Sequence, residues 1–485
     1  LPREELQALA MGLQQGLKTW QSLEGKVVGW VYEDERQIGF GEQQRSDPWQ
    51  YWAKQIPGTW LGQMFKGITQ GETVPWLMGH AQISMADWVE AVVALTFLQR
   101  ALVTWFERQV YAEKIGRKLL ISIYLSFAAL WGQLSGCWQL CQSLPSQQRQ
   151  QLSQHCLQLC LQVLQTFSEK DYFPLYGGIF ATFNGQSLRR ILNHLETPLQ
   201  QLTDSQPKAR ILTLIAYAHQ VQGEYEQAQT LYQQAMEIGQ QLPDPLCVTA
   251  NLNHLSRLHL WRKQYETAIS YGQRALVLSR QQGNTLGEAN ALANLGFGEI
   301  FAAQQPGLAE PIDPEICERA ITQLQRGAQL GEQLQDPQIQ ALCGCSLGLA
   351  YLNLDQPVDA LEPFLKGWKA AQNSGDLFLA GLNVAYLAQA TYETWQRNPE
   401  PAAKKEQIYE SMVFFGCLGM YQLHQLGATE WQQTAAVIRK IRLEMGESAF
   451  QACLQQHRST FLPEIGVDGF DYILTLLTDP QPPQS

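Results

Sequence analysis

Down the second half of the chain, Ala228, Ala268, Ala320 and Ala360 are followed by Met412 and Ala452, at successive spacings of 40, 52, 40, 52 and 40 residues. A fixed period that runs through otherwise divergent segments means one structural unit copied along the chain and twice lengthened by 12 residues. Such a unit cannot bury its apolar side alone, so the copies have to stack.

Each copy reads as two helices. Tyr225-Glu-Gln-Ala228, Tyr265-Glu-Thr-Ala268, Cys317-Glu-Arg-Ala320, Pro357-Val-Asp-Ala360 and Tyr409-Glu-Ser-Met412 all open a stretch of helical composition. An apolar helix ahead of each has its own phase: Ala216, Ser256, Gly296, Gly348 and Ala388, each directly preceded by Ile or Leu. Small residues at these two phases let paired helices approach closely, and larger ones would cost about 1–3 kcal/mol in packing. Helix starts are written at Asp244-Pro245 and Asp336-Pro337, a capping carboxylate before a proline, with Asn284 and Asp376 at the equivalent places. Pro363 falls inside the second helix of the fourth copy and predicts a kink or a delayed start there.

Gly223 and Tyr225 at the turn, with Ala228, Tyr232 and Ala235 behind them, resemble the tetratricopeptide repeat (TPR). The run from Gly283 to Gly296 is similar to the long, 40-residue form of kinesin light chains and bacterial Rap-type regulators. The resemblance spans about half the chain, from Pro207 to His457. It implies an all-α fold: a right-handed TPR-like α-solenoid of five to six helical hairpins, preceded by a mostly helical amino-terminal domain. The expected division is a Trp-rich domain over 1–170, a connecting helix region over 171–206, the superhelix over 207–465, and a C-terminal helix and tail over 466–485. Proline-bearing insertions lie near 302–314 and 396–406 and read as a shared ledge on one rim or as tolerated surface loops. The sixth copy keeps little beyond Ala452 and is expected to cap the stack.

Charge divides the chain in the same way. Residues 1–170 hold 14 basic and 14 acidic side chains, so the whole net charge of −11 lies in the rest, while ten of the 14 tryptophans precede residue 140. An acidic array without clustered Lys and Arg speaks against nucleic acid as a ligand, because phosphates need neutralising. In the first third, Val27 to Tyr32 and Gln37 to Phe40 suggest a small hairpin near 27–40. Helices are expected from Met85 to Tyr111, entered through Ser84 or Asp87, from Arg117 to Gln142, from Pro145 to Glu169, and near Ser187 to Leu202. The uncharged stretch Leu119 to Leu144 has the length of a membrane span. Its glutamines, serines and glycines favour a buried core helix instead. The start, Leu1-Pro-Arg-Glu-Glu-Leu6, is acidic where a signal peptide needs a basic region.

Cys137, Cys141, Cys156 and Cys160 make two CxxxC pairs that imitate a zinc site. A helical hairpin turning near Pro145 would displace the pairs by roughly 10 Å at helical rise, so no metal is expected. The remaining cysteines lack framework spacing, which suits reduced thiols in a cytoplasmic protein. No phosphate-cradling loop, nucleophile elbow, HExxH or deaminase-type motif occurs, so neither an enzyme nor a cofactor is indicated. His219 and His259 share one repeat phase, filled elsewhere by Tyr351, and read as packing positions.

Binding remains. In the TPR family the first helix of each hairpin lines the concave face, which by resemblance assigns a partner-binding groove to Arg210, Thr213, Tyr217 and Gln220 in the first copy. The second copy gives Asn253, His254, Arg257 and Trp261, and the third gives Asn290, Asn294, Phe297 and Phe301. Leu342, Leu349 and Asn353 follow in the fourth, and Ala385, Gln389 and Tyr392 in the fifth. Asn side chains can pair with an extended backbone, and the aromatics offer apolar anchors. The implied function is a non-enzymatic scaffold or adaptor holding a peptide or helix of a partner protein. Two alternatives stand beside it: a ligand-responsive regulator switched by docking of its own amino-terminal domain, and a membrane-peripheral assembly factor for a multisubunit complex, touching but not spanning a bilayer. Part of the groove set contacting the chain's own amino-terminal region is a further alternative. Oligomeric state has no signature in the sequence.

Overall fold

A computed structural model describes residues 3–29, 48–69, 83–108, 113–140, 145–176, 199–200, 202–303, 314–374, 376–397 and 402–478. The chain forms two compact units, Leu1–Phe173 with Phe180–Thr203, and Pro174–Ile179 with Asp204–Ser485. The hairpin expected near 27–40 falls beyond residue 29 outside the described residues, as do Cys141, 187–198, and the centres of both insertions at 304–313 and 398–401.

In the first unit the described helices are α1 (Arg3–Glu24), α2 (Pro48–Gln55), α3 (Trp60–Thr69), α4 (Met85–Glu107), α5 (Glu113–Leu140) and α6 (Ser146–Ser168). α4 starts at Ser84, whose hydroxyl accepts from the Asp87 amide while the Asp87 carboxylate accepts from the Ser84 amide, a reciprocal capping box. The helix ends at Glu107, short of the expected Tyr111. α1 packs along α4, and on that face Thr19 donates to the buried Glu90 carboxylate at 2.5 Å. α5 pairs with α6, and the Cys160 thiol donates to the Ala128 carbonyl at 3.1 Å. The tryptophan excess is explained by the core: Trp88 meets Trp138 edge-on at 4.9 Å, and Trp49 packs against Trp52, Phe65 and Phe127. The uncharged stretch from Leu119 lies in α5, where Ile123, Phe127, Trp131, Leu134 and Trp138 are buried among these rings. Among the described helices it is α4 that has the length and apolarity to cross a membrane, with a mean hydropathy of 1.4 over its best window and 44% of that window buried inside the protein.

The second unit is a stack of hairpins, each a first helix A and a second helix B. They are α7 (Gln206–Val221) with α8 (Tyr225–Gln241), α9 (Pro245–Trp261) with α10 (Tyr265–Gln282), α11 (Thr285–Ala303) with α12 (Pro314–Gln333), α13 (Pro337–Asn353) with α14 (Pro357–Ser374), and α15 (Leu377–Arg397) with α16 (Ala402–Gln425). α17 (Trp431–Met445), α18 (Glu447–Gln456) and α19 (Arg458–Thr478) close the end. Each A helix also packs on the A helix of the next hairpin, so the A helices form the inner face and the solenoid is all-α and TPR-like.

The small-residue phases do what small residues permit. Ala228, Ala268, Ala320, Ala360 and Met412 have no exposed surface. Ser256 donates to the carbonyl of Ala268 at 2.7 Å, and Gly296 lies so close to the equivalent carbonyl of Ala320 that a Cβ there would stand 2.6 Å from it. Ala452 departs from the series: it is exposed, because the short α18 buries Phe450, Cys453 and Leu454 instead. Pro363 does not delay its helix, which already starts at Pro357 and runs to Ser374 with the proline inside it. Arg458–Thr478 is two helices joined across a kink at Gly466, whose φ is 71°, so the second of them follows the expected start at 466.

Caps repeat as the sequence indicates. Asp244, Asn284, Asp336 and Asp376 each accept the amide three residues on, at 2.9–3.1 Å. Between A and B the chain turns through a left-handed residue at the same repeat position, filled by Gly223, Lys263 and Asp355. The next amide then reaches back five residues, to the carbonyls of His219, His259 and Tyr351 at 2.8–2.9 Å. His219 and His259 therefore close turns: their rings meet Glu224 and Gln264 at 2.5 and 2.6 Å.

Candidate functional site

Tyr217, Arg257, Phe297, Leu349 and Gln389 share one repeat position on the A helices, and the first four line a common cavity. Curvature brings the first hairpin back to the fifth: the Tyr217 hydroxyl donates to Asp376 Oδ2 at 3.1 Å across 159 residues of sequence. A methyl on Gly223, in the first turn, would touch Thr429 at 3.1 Å, so the turn after α16 meets the turn after α7. Glu430, beside this turn, is half-buried, and desolvation pushes its carboxyl upward.

This closure divides the predicted groove set. Thr213, Tyr217, Gln220, Asn253, His254, Arg257, Asn290, Asn294, Phe297 and Leu349 are buried, whereas Arg210, Trp261, Phe301, Asn353, Gln389 and Tyr392 keep partial exposure. Leu342 and Ala385 are buried as well. The buried amides are engaged with the solenoid itself. Asn294 donates to the Asn253 carbonyl at 2.9 Å and Asn253 to the Gly287 carbonyl at 3.1 Å, tying neighbouring A helices together. Thr213 accepts from Asn251 at 2.8 Å, and Gln220 accepts from the Tyr232 hydroxyl at 2.9 Å. Arg210 pairs with the capping carboxylate of Asp244 at 2.6 Å. At the far end Tyr392 donates to Glu444 in α17 at 2.7 Å, while Gln389 donates to Glu393 at 2.9 Å. Trp261, Phe297, Phe301 and Tyr265 form one aromatic run, with Phe297 and Phe301 at 4.3 Å.

Two features go beyond what the repeat pattern indicates. Asp376, expected only as a cap, accepts four hydrogen bonds: from the amides of Phe378 and Leu379, from Gln338, and from Tyr217. The second is a non-helical segment, Pro174–Tyr176, that lies on the A helices. His254 meets the Leu175 carbonyl at 2.7 Å and stacks on Tyr232 at 4.9 Å, while Leu175 packs on Leu212, Ile238 and Cys247. Neither was readable from spacing, since each joins distant parts of the chain.

Burial, reinforced by the nearby charge of Arg257, pulls the His254 pKa down to about 3. The neutral ring therefore donates from Nε2 to Leu175. An unfolded histidine binds a proton near pH 6.5, so below that value the unfolded chain holds more protons and stability rises with pH. Acidification from pH 7 to pH 5 is expected to lower unfolding free energy by about 2 kcal/mol through this group. Urea midpoints across that range check it, and His254→Gln should flatten the dependence.

Thiol chemistry is disfavoured at the inner face: burial pushes Cys247, Cys343 and Cys345 up to about 12, well above where a thiolate forms at neutral pH. Among the described residues no group of three His, Cys, Asp or Glu side chains is placed to hold a metal ion.

The sequence matches no family model and none of the curated proteins. Among solved structures it is similar to a Rap protein complexed with competence and sporulation factor, at 13% identity over 73% of this chain and 97% of that one, with a TM-score of 0.42. It is also similar to aspartyl phosphate phosphatase F from Bacillus subtilis, at 15% identity over 72% and 88%, with a TM-score of 0.39. A signal-transduction ATPase with a tetratricopeptide repeat sensor from Pyrococcus horikoshii follows, at 13% identity over 77% and 57%, with a TM-score of 0.37. On its own stacked hairpins, repeated caps and repeated left-handed turns, the chain is a TPR-like helical-repeat protein.

Proposed function

We propose that this chain is a non-enzymatic scaffold whose inner face holds a peptide or helix of a partner protein. The observation that carries the reading is Pro174–Tyr176: non-helical polypeptide rests on the A helices with a backbone carbonyl held by a side chain, the way a bound peptide would be held. The partly exposed Phe301 and Asn353 extend the inner face beyond that segment, as an aromatic anchor and an amide. The nine described cysteines are all free thiols, eight of them buried, which supports a reducing compartment such as the cytoplasm.

Peptides selected from a displayed random library on the purified chain test the proposal. Phe301→Ala combined with Asn353→Ala is expected to weaken the selected peptides at least tenfold, about 1.4 kcal/mol. Equal binding by the double variant would remove the inner face as the binding surface.

A second reading draws on the same segment. If Pro174–Tyr176 occupies surface that a partner needs, the chain is a regulator in which ligand and segment compete. Leu175→Asp would then tighten the selected peptides, whereas a fixed structural segment would leave them unchanged or weaken them.

A further inference from the structure

Arg257 is 7% exposed and has no carboxylate within ion-pair distance among the described residues. Its hydrogen bonds go to two neutral amide oxygens, from Nη2 to Asn290 at 2.9 Å and from Nε to Asn294 at 3.4 Å. Asp376, the carboxylate whose charge reaches Arg257, spends its hydrogen bonds elsewhere, on two amides at the start of α15, on Gln338 and on Tyr217, and makes no direct ion pair with it. A buried guanidinium left with neutral partners is costly, and a protein gains by pairing it.

Beside it lies a hollow, open to solvent at its mouth, with about 30 Å³ of enclosed space. Arg257 is the one charged side chain among the described residues lining it; Leu260, Phe297, Leu349, Phe378 and Leu382 supply apolar wall. The Trp261 indole also lines it, and its Nε1 is buried without an acceptor. The space thus has a cationic donor and an unused neutral donor in an apolar enclosure, the composition of a small-molecule site.

We propose that this cavity binds a small amphiphilic monocarboxylate, its carboxylate on Arg257 with Trp261 Nε1 as a second donor and its apolar body against the leucines and phenylalanines. A single cation selects a monoanion over a phosphate dianion, which would leave one charge buried and unpaired. The site goes beyond the peptide reading and does not rest on it, because Phe301 and Asn353 are outside the cavity lining.

Calorimetric titration of the full chain with hexanoate, hexan-1-ol and hexylamine tests it. Hexanoate is expected to bind saturably at one site, at least tenfold more tightly than hexan-1-ol, with no binding of hexylamine. Arg257→Gln should weaken hexanoate at least tenfold and leave hexan-1-ol unchanged. Leu349→Trp, which fills the cavity and keeps the charge, should abolish both and decides the matter if Arg257→Gln does not fold. The proposal is overturned if wild type fails to bind hexanoate, prefers hexan-1-ol, or shares its hexanoate affinity with either folded variant.

Discussion

Gly296→Val is expected to lower the unfolding free energy by about 3 kcal/mol, seen as a reduced urea midpoint. The reason is what a Cβ would meet: the Ala320 carbonyl at 2.6 Å, which is backbone, and Leu324 at the same distance. Neither α11 nor α12 can yield locally, so the third hairpin must open. The opposing gain from replacing a helical glycine is only about 1 kcal/mol and falls further for a β-branched residue. Ser256 supplies the comparison, since it occupies the same repeat position and donates to the Ala268 carbonyl. Ser256→Ala should cost about 1 kcal/mol, one hydrogen bond. Equal, small losses at both positions would mean that the hairpins do not seat through these residues.

Asp376→Ala should cost a similar amount, about 3 kcal/mol, for a different reason. It removes the cap of α15, worth about 1 kcal/mol, and strips acceptors from the buried Tyr217 hydroxyl and from Gln338, at about 1–3 kcal/mol for each donor left unpaired. Tyr217→Phe removes only the bond across the axis and should cost about 1 kcal/mol. The double variant separates the parts. If Tyr217 and Asp376 are bonded in solution, their losses are not additive, with a coupling of at least about 0.5 kcal/mol. Strict additivity would place the first and fifth hairpins apart.

What the sequence made legible follows from which interactions are local. The 40-residue period was readable because Ala228, Ala268, Ala320 and Ala360 each face a neighbouring helix at a fixed distance, so size is constrained at every copy. The caps were readable because an acidic or amide side chain before a helix has one local use. Of the left-handed turn residues only Gly223 announces itself; Lys263 and Asp355 adopt the same conformation with no compositional sign. Ala452 kept the spacing without the environment, since nothing local distinguishes a marker from an exposed alanine. The repeat phase also picked out the axial positions, and Leu382, at the position of Asn290 and Leu342, could have been added by phase alone. Their burial could not have been read, because curvature is the sum of small rotations between hairpins and appears in no single one. Pro174–Tyr176 lies outside any period. In the first unit, the cap at Ser84 and the helical stretches were local signals, whereas the pairing of α1 with α4 was not.

Solenoids with only neighbour contacts fray from their ends, each terminal hairpin melting at little cost to the next. The bond from Tyr217 to Asp376 joins terminal elements directly, so α7 cannot peel away without disturbing α15. Amide protons of α7 should therefore exchange with deuterium as slowly as those of the central hairpins, and the array should lose its structure in one concerted step.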